Sequence, residues 1–295
     1  MFVLFRPNMK DFFKYITAGE DDRDWGIYLN VVGKSRIEPH TAYPSREHPT
    51  GYYFTWKNGR ILNEYQINYI TEGTGILENE EGRYIIKPGS LMIIRPGVWH
   101  RYKPSANTGW VENYVGFSGS LANHFLDKVS TLQNQSFIRS SIREEFIDTY
   151  YKLFNIVIQE KPGFQLIASA MIIKLLGYIV AFQKQRHFSG KKIEQLIQKA
   201  RFQIRENLDG KTDLHQLATD SNVGYSYFRK MFKKYVGISP HQYHLELKLI
   251  RARELILTSD KSIKEISYEL GFQSIHYFSR LFKSKLGMSP SELRS

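Results

Sequence analysis

The chain has 295 residues, of which 42% are hydrophobic and 24% charged, a composition typical of a folded globular protein that excludes extended disorder. It contains no Cys, so disulfides, thiolate metal sites and cysteine nucleophiles are excluded, and a cytoplasmic location is expected. The formal net charge is +12, and residues 191–295 hold 19 Lys and Arg against 11 Asp and Glu, so a polyanionic partner is expected for the last third of the chain.

Residues 1–24 are interpreted as an N-terminal arm and residues 25–120 as a region of strands. Short runs rich in aromatic and β-branched residues recur there, separated by turns that contain Gly or Pro. The seven runs are Tyr52–Trp56, Tyr65–Ile70, Gly75–Asn79, Tyr84–Lys87, Leu91–Ile94, Trp99–Tyr102 and Val111–Phe117. Their spacing predicts an antiparallel barrel or sandwich. The arm is expected to pack either over this sheet structure or on the C-terminal part of the chain.

Residues 121–182 change to a helical period of apolar residues. They predict two antiparallel helices joined by a turn at Lys161-Pro162-Gly163. The apolar stripe of the first helix runs from Ile142 to Ile158. The polar residues 183–192 that follow the hairpin are interpreted as a linker between two domains.

The second helix of this hairpin, Leu166–Phe182, is shorter than a membrane-spanning helix and has Lys174 at its centre, so no membrane partner is expected. The hairpin packs either on its own barrel or on a second copy of the chain. Because the second helix is apolar nearly all round, we expect a homodimer with Ile173 and Leu176 in the interface.

From Asp213 onward the chain repeats itself. Leu217-Ala218 recurs 49 residues later as Ile266-Ser267, and Phe232-Lys233 recurs 50 residues later as Phe282-Lys283. Each copy has the pattern of a short helix, a turn and a second helix with one apolar face, which is that of a helix-turn-helix unit.

The opposite face of each second helix is basic and carries hydroxyl groups, which suits the major groove of DNA because Arg can grip guanine while Lys and Ser hold phosphates. These free faces carry Ser226, Arg229, Lys230 and Lys233 in the first copy, and His276, Ser279, Arg280 and Lys283 in the second. Between the copies, Pro240 begins a predicted helix that ends at about Leu257. Its length of about 27 Å would space the two recognition helices near one turn of DNA.

The block LATDSNVGYSYFRKMFKKYVGISPHQY, followed by KLIRARELI and IKEISYELGFQSIHYFSRLFKSKLGMSPSEL, resembles the DNA-binding domain of the AraC family of transcription regulators. The resemblance implies a seven-helix domain over residues 193–295, a double-stranded DNA operator and RNA polymerase as partners. It also implies base-contacting positions at Ser226, Arg229, Lys230, Ile275, His276, Ser279 and Arg280. Ile275 replaces a residue that is often polar, and either reads a thymine methyl group or makes no base contact.

The first half resembles the sugar-sensing branch of the same family, which has a cupin-type barrel, in YQINYITEGTGILEN, KPGSLMIIRPGVWHRY and GWVENYVGF. The predicted fold class is therefore α+β, with an antiparallel barrel, a helical hairpin and an all-α C-terminal domain. Many cupins bind a metal through a His-x-His pair. This chain has none, and His40, His48 and His100 are scattered, so no metal and no cofactor are expected.

Strand alternation places Trp110, Glu112 and Tyr114 on one face, and His100 with Tyr102 on one face of another strand. The resemblance implies that these five residues line a sugar pocket, with Tyr114 stacked on the ring and Tyr102 in polar contact. The alternative is that the aromatic side chains only fill the barrel core.

These features favour a ligand-responsive, DNA-binding transcription regulator, with activation of carbohydrate-utilisation genes as the expected role. One competing hypothesis is a cupin isomerase or oxygenase joined to a DNA-binding domain, which the missing His-x-His pair argues against. Another is a ligand-independent regulator, which would not need a sensor region of about 190 residues. DNA alkylation repair needs a Cys acceptor, and the chain has none.

Overall fold

The computed structural model describes residues 11–44, 53–129, 132–133, 135–139, 141–186, 188, 190–208 and 213–294. The chain forms two compact units, Met1–Gln183 and Lys184–Ser295. The described residues of the first unit contain antiparallel sheets and helices, whereas those of the second are helical. The predicted α+β class is therefore confirmed.

The described residues of the first unit form two antiparallel sheets. Its strands are β1 (Phe12–Tyr15), β2 (Tyr28–Ile37), β3 (Tyr65–Gly73), β4 (Gly75–Asn79), β5 (Gly82–Ile86), β6 (Ser90–Ile94), β7 (His100–Pro104), β8 (Trp110–Ser118) and β9 (Phe137–Arg139). One sheet has the order β1-β2-β8-β3-β6-β9 and the other the order β5-β4-β7. Val115 and Phe117 of β8 lie in the core shared with the helices, whereas Trp110 of the same strand lies in the core between the sheets.

The helices of the first unit are α1 (Glu20–Asp24), α2 (Ser120–Asn123), α3 (Glu144–Gln159) and α4 (Phe164–Arg186), with one π-helical turn, His124–Lys128, after α2. Helix α4 is long and apolar enough to cross a membrane by length and composition alone. Its face around Ile172 and Leu176 is buried with Tyr150 of α3 against the larger sheet. The expectation that Leu176 lies in a subunit interface is therefore wrong, because this side chain is only 1% exposed within its own unit.

Several predicted boundaries differ from the structure. Of the predicted strand Tyr52–Trp56, the described residues are not a strand, and Thr55 makes only an isolated bridge to Gly59. The predicted arm contains β1, which pairs with β2, and β9 lies inside the predicted helical segment, where it pairs with β6. Each of these short strands completes an edge of the sheet, which local periodicity does not reveal.

The helical boundaries differ as well. Helix α3 begins two residues after Ile142, and Ile142 and Ile158 are about half exposed, so the ends of the predicted stripe do not belong to the core. Helix α4 continues to Arg186, and the next helix begins at Lys192. The predicted linker 183–192 is therefore helical at both ends. His48 lies outside the described residues.

The described residues of the second unit form seven helices, the number implied by the resemblance. They are α5 (Lys192–Glu206), α6 (Leu214–Asp220), α7 (Tyr225–Val236), α8 (Pro240–Thr258), α9 (Ile263–Glu269), α10 (Ile275–Leu286) and α11 (Pro290–Arg294). Phe228 and Phe232 centre one core with α5 and α6, and Phe278 and Phe282 centre another with α8 and α9. Helix α8 packs Tyr243 and Leu247 against the first core and buries Leu249 and Ala252 in the second.

Candidate DNA interface and ligand pocket

The first helix-turn-helix unit consists of α6 and α7. Asp213 caps α6 by accepting hydrogen bonds from the backbone N–H groups of His215 and Gln216. The turn passes through Asn222, whose φ of +54° is left-handed, and closes with a bond from Val223 N to Ala218 O at 3.0 Å. Asn tolerates this conformation better than most residues, so the chain can turn here without Gly.

The second unit, α9 and α10, makes the same turn with different residues. Gly271 takes the left-handed position with a φ of +70°, and Phe272 N donates to Ser267 O at 3.0 Å. One more residue, Gln273, precedes the N-cap Ser274, whose hydroxyl accepts from Tyr277 N. This extra residue in the turn accounts for the change of spacing between the two copies from 49 to 50 residues.

Both recognition helices present the predicted polar face outward. Ser226, Arg229, Lys230 and Lys233 of α7 are all exposed. On α10, His276, Arg280 and Lys283 are exposed, while Ile275 and Ser279 are partly buried. The spacing of 50 residues makes Arg229 equivalent to Ser279, and Arg280 equivalent to Lys230. Each arginine therefore lies on the polar face of its own helix, but the two positions differ by one residue when the helices are aligned.

The two faces differ in the surroundings of their last lysine. Lys283 Nζ lies 3.6 Å from Glu292 Oε1, on α11. The other carboxylate oxygen of Glu292 accepts a hydrogen bond from Ser289 N, and this backbone bond, with the Ser289 hydroxyl and the charge of Lys283, lowers the pKa of the Glu292 carboxyl. At the equivalent place in the first unit, Gln242 accepts from Ser239 N and carries no charge. Glu292 therefore places an anion beside Lys283, whereas the equivalent residue of the first unit, Gln242, is uncharged.

The five residues predicted to bind a ligand lie between the two sheets. The rings of His100 and Tyr102 stack with centroids 6.2 Å apart, and Trp110 lies 5.9 Å from Tyr102. Glu112 and Tyr114 follow Trp110 on the same face of β8. Tyr114 pairs with Gly33 of β2, where a side-chain carbon would come within 2.5 Å of its ring, so Gly33 leaves the space that this ring occupies.

Two further residues join these side chains into one buried polar cluster, defined as Arg60, Asn68, His100, Tyr102 and Glu112. Arg60 donates from Nε to His100 Nε2 at 3.2 Å and from Nη2 to the Tyr102 hydroxyl at 2.6 Å. Asn68 Nδ2 donates to the Tyr102 hydroxyl at 3.3 Å and to the Glu112 carboxylate. All five side chains are buried.

Sequence reasoning missed both Arg60 and Asn68. Gln66 and Asn68 are two positions apart on β3 and so lie on one face of the strand, a polar pattern from which Asn68 could have been identified. Arg60 follows the Asn58-Gly59 turn, and a bridge pairs its backbone with that of His100, which local sequence patterns do not reveal. Its guanidinium lies 5.1 Å from the ring centroids of both Phe54 and Tyr102.

Burial controls the protonation of the cluster. It lowers the pKa of His100 to about 4, with the positive charge of Arg60 as the second cause, so the imidazole is neutral at pH 7. Because Arg60 can only donate, His100 Nε2 accepts and Nδ1 carries the proton that it donates to Val98 O at 3.1 Å. Burial also raises the pKa of Glu112 and that of Tyr102.

Two polar atoms beside this cluster have no hydrogen-bond partner among the described residues. They are the carbonyl oxygen of the Asn68 side chain and the indole nitrogen of Trp110, and both residues are at most 1% exposed. A buried acceptor and a buried donor without partners are costly, by about 1–3 kcal/mol each. A hydroxyl group can partner either atom, because it both donates and accepts hydrogen bonds.

Within the described ranges, no three His, Cys, Asp or Glu side chains come together in a group that could hold a metal ion. The buried cluster instead offers hydrogen-bond donors, acceptors and aromatic faces, which is the chemistry of a small-molecule binding site.

A tandem helix-turn-helix domain in one unit and a buried polar cluster between two sheets in the other define a DNA-binding transcription regulator with a ligand-binding domain. Comparison with protein families agrees: the family described as "AraC-like ligand binding domain" matches residues 40–176, and that described as "Helix-turn-helix domain" matches residues 217–295. The chain belongs to the AraC family of transcription regulators.

Three relatives illustrate the similarity. The MmsAB operon regulatory protein of Pseudomonas aeruginosa is 25% identical over 79% of this chain and 75% of its own length. The arabinose operon regulatory protein of Escherichia coli is 26% identical over 79% of this chain and 81% of its own length. The lactose operon transcription activator of Staphylococcus xylosus is 22% identical over 83% of this chain and 86% of its own length.

Proposed function

We propose that the chain is a sugar-responsive transcription activator, in which a sugar bound between the sheets of the first unit controls operator binding by the second. The observation that carries this proposal is the buried polar cluster with the two unpartnered atoms of Asn68 and Trp110. Sugar hydroxyl groups can partner either kind of atom, and the C–H face of a sugar packs on aromatic rings such as that of Tyr114.

The names of the relatives support the sugar class. Two of the three relatives described above regulate an arabinose operon and a lactose operon, and the third regulates an operon named MmsAB. The charges of the cluster favour a neutral ligand as well, because Arg60 is balanced by Glu112 and His100 is uncharged. We propose that the barrel is a sensor and not a catalyst.

A screen of neutral sugars against the full chain tests this function. A sugar that raises the melting temperature should also change the affinity for operator DNA, because the two effects share one bound state. Asn68→Ala should remove both responses and leave basal DNA binding intact. Stabilisation by sugar phosphates or amino acids, with no response to any neutral sugar, would contradict the proposal.

We further propose that the chain is a homodimer through the outer face of α4. This face carries Ile167, Ala170, Lys174, Gly177 and Ala181, at alternating spacings of three and four residues. That spacing is typical of a helix seam that packs on a second helix, and small residues allow close approach. Ile167 is 51% exposed in the single chain.

Gly177 provides a clean test of the dimer. A side-chain carbon at this position would meet no atom within 4 Å in the single chain, so Gly177→Glu should not disturb the fold. We expect this variant to sediment as a monomer, whereas Ile158→Glu on α3, which is also exposed, should remain dimeric. A dimeric Gly177→Glu variant would exclude this face.

A further inference from the structure

Access to the buried polar cluster requires that part of its wall can move, because all five of its side chains are buried. Asn68 and Glu112 lie on β3 and β8, two paired strands inside the larger sheet. His100 and Tyr102 lie on β7, which pairs with β4 along its whole length. Arg60 lies on no strand, and its backbone bonds to that of His100 in an isolated bridge of two hydrogen bonds, 2.9 and 3.0 Å long. The chain around Arg60 is therefore the part of the cluster that can move without breaking a strand ladder.

Residues 54–60, which we call the strap, contact both faces of β7. On the inner face, the ring of Phe54 packs on that of Tyr102 with centroids 5.9 Å apart. Arg60, at the other end of the strap, makes the hydrogen bonds to His100 and Tyr102 described above. Phe54 and Arg60 are both buried, so the two ends of the strap close the cluster on this side.

On the outer face of β7, the strap is held by Trp56. The centroid of its ring lies 4.5 Å from the guanidinium carbon of Arg101 and 4.2 Å from the ammonium nitrogen of Lys103. Arg101 Nη1 also donates to the backbone oxygen of Trp56 at 2.9 Å, and its Nε donates to Glu78 at 2.6 Å. Each cation–π contact is modest at a partly exposed site, but two of them act on this one ring.

A second tryptophan supports the turn of the strap. Trp99 Nε1 donates to the backbone oxygen of Asn58 at 2.7 Å. A side-chain carbon on Gly59 would lie 2.6 Å from the same nitrogen, so the glycine lets the turn approach the indole, and its φ of +64° favours glycine as well. Trp99 thus holds the turn, whereas Trp56 holds the strap to the outer face of β7.

We propose that the strap opens as a unit to admit a ligand to the polar cluster, and that Trp56 is the positioning residue that holds it closed. This rests on the proposed function, in which a sugar binds at that cluster. The outer contacts of Trp56 set how often the strap leaves β7, because the inner contacts are lost whenever it does. Opening withdraws Arg60 from His100 and exposes the cluster to solvent.

Hydrogen–deuterium exchange of the full chain without ligand, followed by NMR, measures this opening. The amides of Arg60 and His100 bond each other's carbonyl groups, so they exchange only when the strap leaves β7. We expect low concentrations of urea to leave their rates unchanged, because a local opening exposes little surface. The amides that pair β3 with β8 should exchange more slowly and accelerate with urea, because they require global unfolding.

Trp56→Ala should speed exchange at Arg60 and His100 about tenfold, because it removes two cation–π contacts. The urea dependence of these two amides should stay small. Trp56→Phe keeps an aromatic face for the cations and should restore most of the wild-type protection. Trp25→Ala removes an exposed tryptophan beside α1 and should leave exchange at the bridge unchanged.

Two exchange results overturn the proposal. One is a bridge whose amides share the rate and the urea dependence of the β3–β8 amides, since the strap would then open only when the whole unit unfolds. The other is an unchanged rate at Arg60 and His100 in Trp56→Ala.

Stopped-flow binding tests whether the ligand enters through the strap. The probes are arabinose, galactose and glucose, followed by intrinsic fluorescence, to which Trp110 beside the cluster contributes. For each sugar that binds, Trp56→Ala should raise the association and dissociation rate constants together, by about tenfold, and change Kd by less than about twofold, because opening precedes both entry and exit. Unchanged rate constants in a variant with faster exchange would overturn entry through the strap and leave the sugar sensor standing. Failure of every sugar to bind would contradict the proposed function, whereas the exchange rates decide by themselves whether the strap opens.

Discussion

The two helix-turn-helix units share one backbone design but achieve it with different residues. Asn222 and Gly271 occupy the same left-handed turn position, and the paired rings Phe228–Phe232 and Phe278–Phe282 have centroids 5.7 and 5.6 Å apart. These features are set by packing and are nearly identical. The units differ at positions where packing does not dictate the residue. At each such position, a variant of one unit can be compared with a variant of the equivalent residue in the other unit.

The largest expected effects concern the shared core. Phe228→Ala and Phe278→Ala each remove a fully buried ring, and each should lower the free energy of unfolding by about 3–5 kcal/mol. Urea titration of the full chain, followed by its helical circular dichroism, measures this loss. Tyr227→Ala and Tyr277→Ala, the exposed neighbours, serve as controls with small effects. A small loss at only one of the two phenylalanines would break the equivalence of the units.

The helices of the second unit could be predicted from the sequence, and there is a physical reason for this. Helices α7, α8 and α10 follow predicted patterns closely because Phe228, Phe278 and Pro240 act within one or two turns of their own position. In the barrel the governing contacts are remote in sequence. Arg60 meets residues about 40 positions away, and its role depends on strand register, which composition does not encode. Strands β1 and β9 could not be predicted for the same reason, because their place in the sheet also depends on strand register.

A smaller effect is expected at the position where α6 and α9 pack closely on their partner helices. The first unit has Ala218 and the second Ser267, whose buried hydroxyl has no hydrogen-bond partner among the described residues. Ser267→Ala should therefore raise the free energy of unfolding by about 1 kcal/mol, and Ala218→Ser should lower it by about 1–3 kcal/mol. Differential scanning calorimetry of both variants gives the signs. Destabilisation by Ser267→Ala would show that the hydroxyl is satisfied.

The smallest effect concerns the anion beside Lys283. Glu292→Gln keeps a residue that can complete the capping box of α11 but removes the charge near this lysine. DNA affinity should rise by roughly twofold to fivefold at low salt, in line with the modest strength of exposed ion pairs. Gln242→Glu places the same anion beside the first unit and should lower affinity by a similar factor. Unchanged binding in both variants would mean that neither lysine meets a phosphate.

The central claim is that each unit reads bases through its own arginine, and binding selection on randomised duplexes tests it most directly. Arg229→Ala and Arg280→Ala should each weaken operator binding about tenfold or more, because a bidentate contact between Arg and guanine contributes about 1–3 kcal/mol of discrimination. Each variant should relax one base position, and the two positions should lie about one helical turn apart, since α8 is anchored in both cores. Lys233→Ala and Lys283→Ala should keep the wild-type motif and reduce the salt dependence by about one counterion each. If Arg229→Ala and Arg280→Ala return the wild-type motif, the claim is contradicted.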